Sequence, residues 1–282
     1  MRSPNILKLF AFCLVSMLIA VACGQSGPAS SGGTSKSWIN MVTARGTLNV
    51  GIAEAAPDQY KDPKTGEWKG AYVDFLRFLA QQMSVKIAYF NADWNTYVSA
   101  IQAGQFDIGS DINIRPARAA VVSFSQPIDE GRLVFQFNPD RTPVHSSAEL
   151  TGNSNYSLAV VQGTAQDKLI TLAAPKAKIV RFPDQNTARL ALVSGRVNAF
   201  MDAAPAGGAF CQANPGYKLL VTDPAGPLGG VEGIGFAINH GYSYDDIQFI
   251  NSAIDAFKGQ GLWAASLKAN GYVDPTRYIV GS

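Results

Sequence analysis

Histidine and cysteine are scarce in this sequence, whose 282 residues include two histidines and three cysteines. Their spacing matches no zinc-binding pattern, and the P-loop, G-x-G-x-x-G, G-x-S-x-G and H-E-x-x-H patterns are all absent. His145 and His240 lie in predicted loops and are expected at the surface. The sequence therefore predicts neither a metal site nor a cofactor.

The chain also lacks runs of lysine or arginine, and its 23 basic residues nearly balance its 21 acidic ones. Nucleic-acid-binding proteins need a basic stripe that neutralises phosphates. Anionic membrane surfaces likewise attract clusters of basic residues. We therefore expect no nucleic-acid partner and no electrostatic attachment to lipid.

The longest apolar run, residues 9–22, follows Arg2 and Lys8. It is shorter than the roughly 20 residues that a membrane-spanning helix needs, so the pattern predicts an export signal over residues 1–22. Ala20-Val21-Ala22-Cys23 resembles the lipobox of bacterial lipoproteins, which implies cleavage before Cys23 and its acylation; the alternative is ordinary cleavage without a lipid. Because Arg2 and Lys8 would be lost, the mature chain would carry 21 basic and 21 acidic residues.

Glycine and serine dominate residues 23–37, which predicts a flexible tether. The residues that follow approach the length at which a single core divides, so two lobes are expected. Cys211 would be the one unmodified cysteine in an oxidising compartment, so no internal disulfide is possible. We expect it to be a buried, small apolar residue rather than a reactive thiol.

Apolar periodicity divides the chain into two β-α-β-α-β series followed by two helices, which favours an α/β fold with two mostly parallel sheets. Strands are predicted over residues 48–52, 86–90, 107–110, 157–161, 178–182 and 198–201. Helices are predicted from Gly70, over 94–103, from Thr164, after the N-cap Asp184, from Ala203, and over 244–259 and 262–270. The helices over 244–259 and 262–270 should pack against the first β-α-β-α-β series. The extended stretches 132–137 and 233–239 are predicted to cross between the lobes.

Several short motifs, in this order and spacing, resemble family 3 of the extracellular solute-binding proteins, the receptors of polar amino acid ABC importers. They are Gly46-Thr47-Leu48-Asn49-Val50-Gly51, Gly66-Glu67-Trp68-Lys69-Gly70 with Asp74, residues 101–108 (IQAGQFDI), Arg115-Pro116-Ala117-Arg118, Ser123-Phe124-Ser125-Gln126-Pro127, Val161-Gln162-Gly163-Thr164, and Gly195-Arg196-Val197-Asn198-Ala199 with Asp202. The resemblance as a whole spans residues 45–272.

This resemblance implies a two-lobed α/β architecture, the periplasmic-binding-protein type II fold with two hinge strands. It places lobe 1 at residues 38–134 plus 234–282, and lobe 2 at residues 135–233. It further implies a monomeric receptor, attached to the membrane by its lipid in the periplasm or at the cell surface. Such a receptor captures an amino acid by interlobe closure and delivers it to an ABC transporter permease.

The resemblance also implies particular ligand contacts. Arg118 matches the arginine that holds the ligand's α-carboxylate, for which a guanidinium offers two parallel donors; the alternative is a surface arginine, as expected for Arg115. Asp202 matches the acid that accepts the α-ammonium and is alternatively a helix N-cap. Thr164 would offer its hydroxyl and N–H to a carboxylate or simply cap its helix. Trp94 would form an aromatic wall or belong to the core.

Three further candidates, Ser110, Asp111 and Asn113, occupy the stretch that contacts the ammonium and carboxylate groups in this family. Asp111 puts an acid where a neutral residue is common. The first loop also departs from the family pattern, because Ala55 stands where an aromatic residue is usual and Tyr60 is a candidate substitute downstream.

Acidic candidates outnumber basic ones among these positions. Glu54, Asp111 and Asp202 would face Arg118 if all four lay in the cleft. Because buried carboxylates are costly without compensation, a basic amino acid is the expected complement.

Two other functions stay open from the sequence. Relatives of these receptors include cyclohexadienyl dehydratases, and fold does not fix function, so an enzyme on the same fold is the first alternative. A carboxylate would have to serve as its general acid or base. The second is a ligand-sensing module that acts through a partner. The resemblance favours a receptor without enzyme activity.

Overall fold

The computed structural model describes residues 36–223 and 228–280 of the chain. The predicted signal peptide (1–22), the lipidation site Cys23 and the predicted tether up to residue 35 lie outside these residues. The last two tether residues belong to the folded body: Lys36 forms a β-bridge with Tyr242, and the Ser37 side chain caps the first helix. Within the described ranges, no helix has both the length and the apolar character needed to cross a membrane.

The first part of the chain contains the first predicted β-α-β-α-β series and several shorter elements. Its elements are α1 (Trp38–Arg45), β1 (Thr47–Ile52), β2 (Tyr60–Lys61), β3 (Trp68–Lys69), α2 (Ala71–Gln82), β4 (Lys86–Asn91), α3 (Tyr97–Gln102), β5 (Ile108–Asn113), α4 (Pro116–Ala119) and β6 (Val122–Phe124).

The remainder contains the second series, flanked by two long strands, and then the terminal helices. Its elements are β7 (Asp129–Phe137), α5 (Ser147–Thr151), β8 (Ser157–Val161), α6 (Ala165–Ala173), β9 (Lys178–Phe182), α7 (Gln185–Val193), β10 (Ala199–Ala203), α8 (Ala204–Ala213), β11 (Lys218–Val221), β12 (Val231–Asn239), α9 (Tyr244–Gly259), α10 (Leu262–Ala269) and a 3-10 helix, Pro275–Tyr278.

Most of the predicted elements are confirmed. β8, β9 and α9 have the predicted bounds. α2 begins directly after Gly70 and buries Val73, Leu76 and Leu79, as their helical spacing indicates. Asp184 caps α7 by accepting a hydrogen bond from a backbone N–H at 2.8 Å.

Two predicted boundaries near the first series are wrong. The helix predicted over 94–103 begins only at Tyr97, because residues 93–96 form a turn in which the Thr96 N–H donates to the Asp93 carbonyl at 3.0 Å. Trp94 therefore precedes α3. β5 continues past Ser110 to Asn113, because β12 pairs with that extension.

The main sheet runs without a break through both series, in the order β4-β1-β5-β12-β7-β10-β8-β9. β1 is parallel to β4 and β5, and β8 is parallel to β9 and β10. The sequence predicts two separate, mostly parallel sheets, and their separation is wrong. The antiparallel strands β12 and β7 join the two parallel groups into one curled sheet.

β7 and β12 are the crossing strands, and each changes partner along its length. β7 pairs with β12 through residues 129–132 and with β10 through residues 133–137. β12 pairs with β7 through residues 231–234 and then with β5 and β6. Each strand has nine residues, enough to reach a partner in both groups. The predicted crossings at 132–137 and 233–239 lie within these strands.

Separate hydrophobic clusters form on the two sides of the crossing strands. One packs Leu48 of β1 and Phe75 of α2 against Phe257 of α9, with the rings of Phe75 and Phe257 5.6 Å apart. The terminal helices thus pack on the first series, as predicted. Cys211 lies fully buried in a cluster of the second series, and burial raises the pKa of its thiol to about 12. It is the core residue that the sequence predicts.

The buried carboxylate of Asp246 ties the start of the folded body to α9. It accepts hydrogen bonds from the backbone N–H groups of Trp38 at 2.9 Å and Ile39 at 3.2 Å, and from the Ser37 hydroxyl at 3.1 Å. It also accepts from the Ser243 N–H at 3.0 Å, which completes the N-terminal cap of α9. One side chain therefore serves two segments that are far apart in sequence.

Replacing Asp246 with alanine should lower the free energy of unfolding by about 2–4 kcal/mol, because buried donors lose a charged acceptor. Urea denaturation of the mature chain measures this loss. Asp245→Ala is the matched control, since Asp245 is exposed in the same helical turn, and it should cost less than about 1 kcal/mol. Equal losses for both variants would contradict the account.

Candidate ligand-binding cleft

A cleft opens where the two parts of the sheet meet, a common place for a small-molecule site. Asp111 and Arg118 line it from the first series, and Thr164 and Asp202 line it from the second. Trp94 lines it as well, and packs against hydrophobic clusters of both parts. Five residues that the sequence predicts as ligand contacts are therefore together in one space.

Arg118 presents a buried guanidinium to this cleft. α4 begins with Pro116 at its first turn, and Arg118 is only 8% exposed. One guanidinium nitrogen donates to the Asn113 carbonyl at 3.2 Å. Of the six ion pairs found among the described residues, none involves Arg118, whereas Arg115 pairs with Glu232. Burial, and then the nearby charge of Arg115, lower the pKa of Arg118 to about 10. Arg118 can therefore bind an anion in the cleft.

The carboxylate of Asp202 is buried and already receives four hydrogen bonds. Arg189 at 2.9 Å and Gln136 at 2.8 Å donate to Oδ2, while Gln185 at 3.1 Å and the Ala203 N–H at 2.9 Å donate to Oδ1. A carboxylate has about four acceptor sites, so these are filled. Burial raises the pKa of Asp202, and the Arg189 charge opposes that rise. Asp202 is the fourth residue of β10 and does not cap α8, whose N-cap is Ala203.

Thr164 and Trp94 reach the cleft from loops. Thr164 caps α6: its hydroxyl accepts from the Asp167 N–H at 3.2 Å and donates to the Val161 carbonyl at 2.7 Å. The Trp94 indole N–H donates to the Glu54 carbonyl at 3.3 Å, and its ring packs edge-on against Tyr97 at 5.6 Å. These contacts fix both side chains at the wall of the cleft.

The remaining candidates divide into two groups. Asn113 lines the cleft, as Asp111 does. Ser110, Glu54 and Tyr60 do not line it, each for a different reason. Ser110 is fully buried and donates to the Gln59 side chain at 2.6 Å. Glu54 is exposed to solvent, and Tyr60 belongs to the β2-β3 hairpin.

Asp111 owes its position to an irregularity in β5. The pairing of β5 with β12 shifts register between Gly109 and Ile112, where β5 contains one extra residue. Asp111 lies in that bulge with φ of 57°, a left-handed conformation that aspartate tolerates better than most residues. Burial, followed by the charge of Asp58, raises the pKa of Asp111 well above its usual value.

Three residues that sequence reasoning missed also line the cleft: Asp58, Tyr72 and Asp129. Asp58 is 8% exposed, and burial, then the charges of Asp129 and Asp202, raise its pKa from 3.8 to about 7. Asp129 begins a crossing strand, so its strand-end position was the available signal, whereas Asp58 lies in the loop after β1 and gave none. Tyr72 gave none, because its place on the apolar face of α2 looks like ordinary core.

The sequence profile of the bacterial extracellular solute-binding proteins, family 3, matches residues 48–268. A probable amino-acid ABC transporter periplasmic-binding protein of Sinorhizobium fredii is 29% identical over 171 residues, which is 58% of this chain and about half, 55%, of that protein. The L-arginine-binding protein of Pseudomonas aeruginosa is 25% identical over 222 residues, covering 76% of this chain and 83% of that protein.

Solved structures agree with the fold. An ancestral amino acid-binding protein, described as a precursor of cyclohexadienyl dehydratase, superposes with a TM-score of 0.74 at 27% identity, covering 83% of this chain and 99% of that one. The α/β architecture, its crossing strands and the extent of the profile match lead to one assignment. This chain belongs to family 3 of the bacterial extracellular solute-binding proteins.

Proposed function

We propose that this protein captures an amino acid outside the cytoplasm and delivers it to an ABC importer. The observation that carries the proposal is the Arg118 guanidinium, which is buried in the cleft and has no carboxylate partner in the described parts of the chain. The relatives are binding proteins named for amino acids or for arginine, which supports the same function here.

In this proposal, Arg118 binds the ligand's α-carboxylate. A buried cation needs an anionic partner, and the planar guanidinium suits a carboxylate through two parallel hydrogen bonds. Among the described residues, one hydrogen bond engages it, to the Asn113 carbonyl at 3.2 Å. Most of its donors are therefore free to bind a ligand.

Asp202 binds the α-ammonium by exchanging one of its present donors. The Gln185 amide is the natural donor to leave, because Gln185 also lines the cleft and makes the longest of the four bonds, 3.1 Å. An ammonium donor is stronger than a neutral amide at the same acceptor. Arg189 stays in place and continues to pair with the carboxylate.

The two parts of the molecule close on the ligand about β7 and β12. We assign residues 38–134 plus 234–282 to lobe 1 and residues 135–233 to lobe 2, which places Arg118 and Asp202 in opposite lobes. A ligand that touches both favours the closed state by its higher affinity for that state. Trp94 and Thr164 complete the walls of the closed site.

Attachment to the membrane is part of the same proposal. The lipobox-like sequence before Cys23 supports acylation of that cysteine, and residues 24–35 supply a glycine- and serine-rich tether. A receptor on such a tether stays close to the permease while its lobes move freely.

Replacing Arg118 with methionine should weaken amino acid binding by about 100-fold or more, because the ligand carboxylate would be buried without its partner. Arg118→Lys should lose a large part of the same affinity, since it offers no planar fork. Isothermal calorimetry with a screen of amino acids measures both effects.

Arg196→Met is the control, because Arg196 is exposed in the turn before β10 and should bind as the unchanged protein does. Wild-type protein that binds no amino acid, or an Arg118→Met variant with unchanged affinity, would refute the proposal.

An enzyme on the same fold is the alternative, and one observation favours it. Asp58 has a pKa of about 7 in the cleft, which suits a general acid, and one structural neighbour is described as a dehydratase precursor. The receptor proposal expects no turnover of prephenate or arogenate above background, measured by ultraviolet absorbance of the aromatic product. Turnover that Asp58→Asn abolishes would establish the enzyme instead.

A further inference from the structure

We propose that Asp58, Asp111 and Asp129, which line the same cleft as Tyr72, form with its hydroxyl a subsite for a second positive charge on the ligand. This rests on the proposed function, since it names the class of amino acid: one with a cationic side chain, such as a guanidinium or an ammonium. The α-amino group binds elsewhere, at Asp202. The subsite is thus a specificity determinant for the side chain.

Four separate elements bring these groups to one part of the cleft. Asp58 follows β1, Tyr72 lies on α2, Asp111 lies in the bulge of β5, and Asp129 begins the crossing strand β7. All four residues line the same cleft. After burial, the charges of Asp111, Asp129 and Asp58 are what raise the pKa of Tyr72.

The unpartnered hydroxyl of Tyr72 indicates that a polar group of the ligand binds in this part of the cleft. Tyr72 is 1% exposed, and its hydroxyl has no hydrogen-bond partner within the described residues, although it lines the cleft. A buried hydroxyl without a partner is unfavourable. A guanidinium or ammonium could donate to this oxygen while its charge faces the carboxylates.

The charge balance of the cleft points to the same ligand class. Arg189 already pairs with Asp202, and Arg118 is committed to the ligand carboxylate. The charge of Lys258 partly offsets Asp129 from α9, and Arg118 partly offsets Asp111. Asp58 has no ion pair among the described residues. A neutral amino acid would leave this negative charge uncompensated, whereas a basic one supplies the missing cation.

An empty subsite keeps its charge low by holding protons. Burial is the main cause of the raised pKa values of Asp58, Asp111 and Asp129. The titratable and charged groups that act on Asp58 or share its surroundings are Asp129, Asp202, Arg189, Tyr72, Asp111 and Tyr272. Binding of a cation must then release protons below neutral pH.

The first experiment compares arginine with citrulline, its neutral isostere, by calorimetry on the mature protein at pH 8. Arginine should bind about 100-fold more tightly than citrulline. Asp58→Asn, Asp129→Asn and Tyr72→Phe should each weaken arginine by about 10-fold or more and change citrulline by less than about 3-fold. Asp140→Asn is the control and should change neither affinity, because Asp140 is exposed and is not among the residues that line the cleft.

The outcomes separate this inference from the proposed function. Citrulline or glutamine binding as tightly as arginine would overturn the subsite while leaving the receptor proposal intact. Failure of every amino acid to bind would overturn both. Should one variant not fold, as judged by circular dichroism, the wild-type comparison of arginine with citrulline and the other two variants still decide the matter.

The second experiment follows pH. Arginine affinity should rise between pH 5 and about 7 and then level off, because protons on Asp58, whose pKa is about 7, compete with the ligand cation. Asp58→Asn should flatten this rise.

The stability of the ligand-free protein as a function of pH also tests the protonation of Asp58. Because the folded-state pKa of Asp58 is raised, the stability it contributes is present at low pH and should fall as pH increases from about 4 through about 7. A pH-independent affinity, or the same slopes in Asp58→Asn, would overturn the role of Asp58.

Discussion

The whole arrangement depends on a buried positive charge that forms no ion pair within the described part of the chain. Arg118 lies in the cleft with a single protein hydrogen bond and without an ion-pair partner in the described residues. Arg115, three residues earlier, pairs with Glu232, so the two arginines of the same motif have different surroundings. A buried cation of this kind is tolerated when a ligand is meant to supply the anion.

The opposite wall of the cleft is organised in a complementary way. Arg189 pairs with Asp202 and opposes the rise in its pKa, and Gln136 also donates to it, so the carboxylate is held in place. Gln185 is the adaptable member of this group, since its amide can leave when a charged donor arrives. Charges fixed in advance lower the cost of ordering the site on binding. In the proposed closure, the two walls approach each other about the crossing strands β7 and β12.

The regular elements were predictable because their signals are local. β8, β9 and α9 follow from the apolar periodicity of the sequence, a local signal that the folded structure preserves. Short elements such as α4, α5, β6 and the β2-β3 hairpin carry too few residues for a period to emerge. The joining of the parallel strands into one sheet depends on where β7 and β12 change partners, which no local pattern encodes.

The residues that line the cleft could be predicted only where they match the family pattern. Arg118, Asp202, Thr164 and Trp94 carry the family resemblance, and the structure brings them together. Asp58 and Tyr72 lie in a loop and on an apolar helix face, so only the tertiary arrangement reveals that they share the cleft with Asp111. Glu54 shows the reverse case: it looked like part of an acidic pocket but faces solvent.

A double-mutant cycle tests the central claim most directly, because it isolates the contact between Arg118 and the ligand's carboxylate. The affinities of arginine and of argininamide, in which a neutral carboxamide replaces the α-carboxylate, are measured by calorimetry on wild-type protein and on Arg118→Met. The account predicts that the amide binds wild type about 100-fold more weakly than arginine does, and that this difference nearly vanishes in the variant. A difference of the same size in both proteins would contradict it.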